Sequence, residues 1–219
     1  MIRLSRRIRR FASVASGLVV LAGCAGRPMD LPPAPVSGHI EVRPGRPGFV
    51  VAAPHGASDV NADEIAAAIA RRTGFGLVVA TGLSPARHVD EAYERRVLEA
   101  AQGPLRFYAE IHGNNRAPCA GRIEIATVGI DRELALRLHA LAEVIRDAHL
   151  RANPEVQRLD VLIEPADAVT GAERDGILRL PEQALHIELP RCARPDFRDT
   201  YTTILAEFLA QSVPLAAGR

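Results

Sequence analysis

Gly48-Phe-Val-Val-Ala-Ala-Pro-His55-Gly-Ala-Ser-Asp59 decides how this chain is read. Residues 48–53 form an apolar run that reads as a buried strand. A histidine follows it, with glycine next and a carboxylate four positions on. The pattern recurs at Leu105-Arg-Phe-Tyr-Ala-Glu-Ile-His112-Gly113. In open α/β sheets, ligands gather beyond the carboxyl ends of the strands. Two imidazoles at such ends suggest a metal site assembled from separate strands. A third strand-like run, Ala184-Leu-His-Ile-Glu188-Leu-Pro190, brings a carboxylate.

Around these runs, strand and helix signals alternate. Asn61-Ala62-Asp63-Glu64 looks like a helix start with Asn61 as cap and Glu64 three residues on. That helix is predicted to reach about residue 72, with Ile65 and Ile69 on one face and Gly74 and Gly76 ending it. Residues 77–80 read as a strand, 91–101 as a helix, 105–111 and 122–128 as strands. Leu134, Leu138, Leu141 and Ile145 mark a long helix over 131–151, capped by Asp131. Strands are predicted at 158–163 and 184–189, and a closing helix over 198–212. The order predicts a three-layer α/β/α domain with a mixed sheet.

The chemistry of the candidate residues points to zinc. Zinc takes histidine nitrogen and carboxylate oxygen, and a catalytic site keeps one position open. His55, Asp59 and His112 are the candidate ligands, with Asp63 and Glu64 as rivals for the carboxylate. His186 and Glu188 share one strand face, opposite Leu185, Ile187 and Leu189. That face is either wetted by solvent or places Glu188 as a general base. Asn114 and Asn115 are candidates for substrate contact or for a turn.

The ends and composition bound the rest. Arg3, Arg6, Arg7, Arg9 and Arg10 precede a short apolar stretch, 11–23, too short to span a bilayer and shaped like a secretory signal. Leu21-Ala22-Gly23-Cys24 resembles a bacterial lipobox, which implies cleavage before Cys24 and lipidation of its thiol. Ala25 after the cysteine implies the outer membrane, at its periplasmic face. Ser5-Arg6-Arg7 also resembles a twin-arginine signal. Residues 24–47 carry Pro28, Pro32, Pro33, Pro35, Pro44 and Pro47 and read as a stiff tether, leaving 48–219 as one domain. Charge is balanced, with 27 basic against 26 acidic residues, and no basic stripe with interleaved aromatics appears, which speaks against nucleic acid. Outside the cytoplasm, Cys119 and Cys192 are able to form a disulfide that braces the site.

Ala53-Pro54-His55-Gly56, Ile111-His112-Gly113 and His186-Ile187-Glu188 together resemble the N-formylglutamate amidohydrolase family. They are also similar to the phage poly-γ-glutamate hydrolases and, more distantly, to zinc carboxypeptidases. The resemblance implies the phosphorylase/hydrolase-like fold of zinc exopeptidases. It implies zinc on His55, Asp59 and His112, and Glu188 as general base. Arg87-His88-Val89-Asp90 is similar to the family's Arg-x-x-Asp stretch, although Glu91-Ala92-Tyr93 replaces the Asn-Arg that commonly follows. It makes Arg87 the first candidate for a substrate carboxylate or an oxyanion, with Arg116 second. The expected substrate is a small acyl-amino acid, a γ-glutamyl compound or a peptide in the cell envelope. A non-catalytic envelope module that keeps the fold is the alternative.

Overall fold

Four parallel strands form the middle of the sheet, and the apolar runs of the sequence supply them. The computed structural model describes residues 38–82, 91–114, 121–165 and 176–217, all within one unit, Pro35–Arg219. Seven strands form the sheet: β1 (His39–Arg43), β2 (Arg46–Ala53), β3 (Phe75–Thr81), β4 (Phe107–Asn114), β5 (Arg122–Val128), β6 (Asp160–Pro165) and β7 (Gln183–Pro190). Their order is β1-β3-β2-β4-β7-β5-β6. β3, β2, β4 and β7 run parallel, β1 is antiparallel to β3, and β5, which pairs β6 in parallel, is antiparallel to β7.

Helices α1 (Ala62–Thr73), α2 (Glu91–Ala101), α3 (Arg132–Ala152) and α4 (Arg198–Ala217) cover it. Alternation along the strands separates two cores. Val51, Ala53, Ala109, Ile111, Leu185 and Ile187 pack with Ile65 and Ile69 of α1, Leu138 of α3 and Phe208 of α4. Val50, Ala52, Val78, Tyr108 and Ala184 pack on the other face with Tyr93 and Val97 of α2. The three-layer mixed α/β architecture is therefore as predicted.

The connections place a crevice. β2 continues through α1 to β3 on one side, while β4 pairs β2 on its other side and continues to β5. The chain thus leaves the carboxyl ends of adjacent β2 and β4 in opposite directions, the switch point where open α/β sheets bind ligands.

Three details depart from expectation. β1 lies inside the stretch read as a tether: Ile40 and Val42 pack on the α2-side core although prolines flank the strand. Asn61 precedes α1 but does not cap it with its side chain; it sits at φ 65 and its Nδ2 donates to Arg194 O at 3.2 Å. Gly76 lies within β3, and Gly74 alone ends α1 at φ 74. Asp131 caps α3 as predicted, accepting from Leu134 N at 2.9 Å. Among the described residues no helix is long and apolar enough to cross a membrane.

Candidate metal centre

His55 leaves the end of β2 and enters a single 3-10 turn, Gly56–Ser58. Ser58 N donates to His55 O at 2.9 Å and Asp59 N to Gly56 O at 3.2 Å. This tight turn brings Asp59 back toward the level of His55, which an extended spacing of four residues does not do. Gly56 sits at φ +42, and a Cβ there would lie 2.4 Å from Ala80 O of β3. Glycine after His55 is thus required by a close approach of two backbones.

His112 lies on β4, on the face opposite the α1-side core. Its ring centroid is 5.0 Å from that of His55, and its Nδ1 lies 3.7 Å from Asp59 Oδ2. The same Oδ2 accepts from Gly113 N at 3.0 Å, so Asp59 ties the β2 turn to β4. Ligand atoms of His55, Asp59 and His112 lie within 4.8 Å of one another. The second glycine has its own reason. A Cβ on Gly113 would lie 2.4 Å from Arg194 Nη1. The fully buried Arg194 donates to Val60 O at 3.2 Å and to Asn114 O at 3.4 Å, tying the segment after β2 to the end of β4. Burial pulls its pKa below the usual value, and the nearby Asp59 carboxylate opposes that.

Glu188 stands on β7 directly opposite His112 of β4 and Glu124 of β5. Its side chain is 23% exposed, so it is placed at the edge of the site rather than under it. Glu188 Oε1 lies 3.5 Å from His186 Nε2. Glu124 is buried and bound by Arg122 Nε at 2.8 Å.

Glu110, like Arg194, had no role in the sequence analysis. Glu110 is 4% exposed, and its Oε1 meets His186 Nδ1 at 2.5 Å and His112 Nε2 at 3.3 Å. Its Oε2 accepts from Tyr108 Oη at 3.1 Å, and Tyr108 Oη meets Tyr93 Oη at 3.1 Å. Glu110, His112 and His186 form a second group with ligand atoms within 4.8 Å. Burial pushes the Glu110 carboxyl up, but the imidazoles of His112 and His186 outweigh it and hold the group well below the usual carboxylate range. Burial likewise opposes charging His186, yet hydrogen bonds to Glu110 and Glu188 raise its pKa to about 10. Burial pushes both tyrosines up as well. The signal for Glu110 was available: Tyr108, Glu110 and His112 alternate on one strand face, as His186 and Glu188 do.

The structure thus brings His55, Asp59, His112 and Glu188 together. Asp63 and Glu64 belong to α1, where Glu64 is paired with Arg198. Asn114 is buried at the end of β4, held by Arg194 through its carbonyl. Cys192 is disulfide-bonded and follows β7. Arg87, Asn115, Arg116, Cys119 and Cys24 lie outside the described residues.

No family model and no curated protein matches the chain. Solved structures do. The chain is similar to a bacteriophage poly-γ-glutamate hydrolase, with TM-score 0.55 and 14% identity over 84% of this chain and 91% of that one. It is also similar to the zinc-free apo form of YNDL, with TM-score 0.55 and 13% identity over 80% of this chain and 90% of that one. At such identities the likeness is one of fold.

Proposed function

We propose that this chain is a zinc-dependent hydrolase of an amide bond in an acyl-amino acid, a γ-glutamyl compound or a peptide, acting in the cell envelope from a lipid anchor on Cys24. The observation that carries the reading is the convergence of His55, Asp59 and His112 at the switch point, with Glu188 on the adjacent strand. The donor set fits the metal: two imidazoles and one carboxylate are zinc's own ligand types and leave a coordination position open. The names of the two similar structures, a poly-γ-glutamate hydrolase and a zinc-free form, support it.

Zinc in such a site acidifies water and polarises the scissile carbonyl. His55, Asp59 and His112 would hold the ion. Glu188 accepts the proton of the attacking water and passes it to the leaving nitrogen. The partial exposure of its carboxylate lets substrate reach it. Arg87 and Arg116 are proposed to steady an oxyanion or a substrate carboxylate, and Asn114 to contact substrate. The disulfide at Cys192 is proposed to join Cys119 and brace the loop that follows His112.

The test is a panel of N-acyl amino acids, γ-glutamyl peptides and cell-wall peptides given to zinc-loaded protein, wild type and Glu188→Gln. A base acts without holding the metal, so Glu188→Gln should keep zinc and lower turnover by on the order of 10²-fold or more. Equal turnover by the variant refutes the role of Glu188. A wild type that loads zinc but cleaves nothing refutes the hydrolase reading.

A further inference from the structure

We propose that Glu110 is a positioning residue that joins the metal-holding half of the site to its proton-accepting half, orienting His112 and His186 with one carboxylate. The inference rests on the reading of His112 as a ligand and Glu188 as a base.

The two nitrogens of His112 face different groups. Nδ1 is turned to Asp59, 3.7 Å from its Oδ2, and Nε2 to Glu110, 3.3 Å from its Oε1. Nε2 is buried and its approach to Glu110 falls outside hydrogen-bonding geometry. A buried N–H without an acceptor is costly, and a small turn of the ring toward Oε1 satisfies it. A metal-ligating histidine binds through one nitrogen, and the partner of the other fixes the tautomer and the ring. Glu110 on the Nε2 proton leaves the Nδ1 lone pair for the metal.

The same Oε1 meets His186 Nδ1 at 2.5 Å. With that proton on Glu110, His186 presents Nε2 to Glu188, 3.5 Å from Oε1, and its ring stacks on His112 at 4.2 Å and 25°. Displacing Glu110 therefore releases both rings. The carboxylate is held from behind: Tyr108 donates to Oε2, and Tyr93 holds Tyr108 in turn. Glu110, His112 and His186 are also close enough to take a second ion. His186 Nδ1 and Glu110 Oε1 already satisfy each other, which favours positioning over ligation.

The experiment measures zinc stoichiometry, zinc affinity by chelator competition, and histidine tautomers by ¹⁵N NMR on metal-free protein. His112 signals are assigned by their loss in His112→Gln. Wild type should bind one zinc and show His112 protonated at Nε2. Glu110→Gln should lose that tautomer bias and bind zinc about 10- to 100-fold more weakly. Unchanged affinity and tautomer in folded Glu110→Gln overturn the proposal. Two zinc ions per wild-type chain, one of them lost in Glu110→Gln, also overturn it by making Glu110 a ligand. If Glu110→Gln fails to fold, Tyr108→Phe removes one bond from Oε2 and should shift the His112 signals in the same direction by less; unmoved signals refute the inference. A wild type that binds no zinc counts against the metal reading instead, and the tautomers still decide the role of Glu110.

Discussion

Gly56→Ala tests whether the turn between His55 and Asp59 is built by close backbone approach. The added Cβ would lie 2.4 Å from Ala80 O, whereas ordinary contact begins near 3.4 Å, so the turn or β3 must retreat by about 1 Å. The obstacle is a carbonyl in a strand paired with β1, which no rotamer change relieves. The residue is also at φ +42, where a side chain costs about 1–2 kcal/mol. Overpacking adds about 1–3 kcal/mol, for a total of about 2–5 kcal/mol. At about 2–4 °C per kcal/mol for a domain of this size, Tm should fall by about 4–20 °C. Zinc affinity should fall too, because His55 and Asp59 flank the displaced residue. Gly74→Ala is the control. Gly74 has positive φ but nothing within 4 Å of an added Cβ, so it reports backbone strain alone. Thermal denaturation of metal-free protein and chelator competition give both numbers. If Gly56→Ala matches Gly74→Ala in Tm and wild type in zinc affinity, the close approach does not shape the site.

The remaining predictions concern the ligands and the ends of the chain. His55→Ala and His112→Ala should each lose stoichiometric zinc with the fold intact by circular dichroism; a variant that keeps its zinc excludes that residue as a ligand. Non-reducing peptide mapping should recover Cys192 joined to Cys119, and a link to Cys24 would contradict both the brace and the lipid anchor. Cys24→Ser should move the protein from a salt-washed membrane fraction to the soluble fraction; retention in the membrane argues against lipidation.

The long elements were legible because burial wrote them into the sequence. Val50 to Ala53 are apolar on both faces because helices cover both. Leu134, Leu138 and Ile145 repeat with helical period because one face of α3 meets the sheet. β1 was hidden: two alternating apolar residues in a five-residue edge strand are a weak signal, and the surrounding prolines look like those of an extended tether. Asn61 misled for a related reason. Asparagine suits both a cap and a left-handed residue, and only the distant carbonyl of Arg194 decides between them. At the site, the histidines showed because each interrupts or follows an apolar run. Glu110 and Arg194 did not, since their partners are brought close by strand pairing and chain folding rather than by sequence spacing. The glycines after His55 and His112 were visible as a pattern, but their cause, contact with Ala80 and with Arg194, is tertiary.

The most direct test of the metal centre is anomalous scattering from crystals of the zinc-loaded protein at the zinc edge. One peak should lie about 2.0–2.2 Å from nitrogen of His55 and His112 and from an oxygen of Asp59, with Glu188 near it but unbound. A peak coordinated elsewhere, or none between these three side chains in zinc-loaded crystals, contradicts the account.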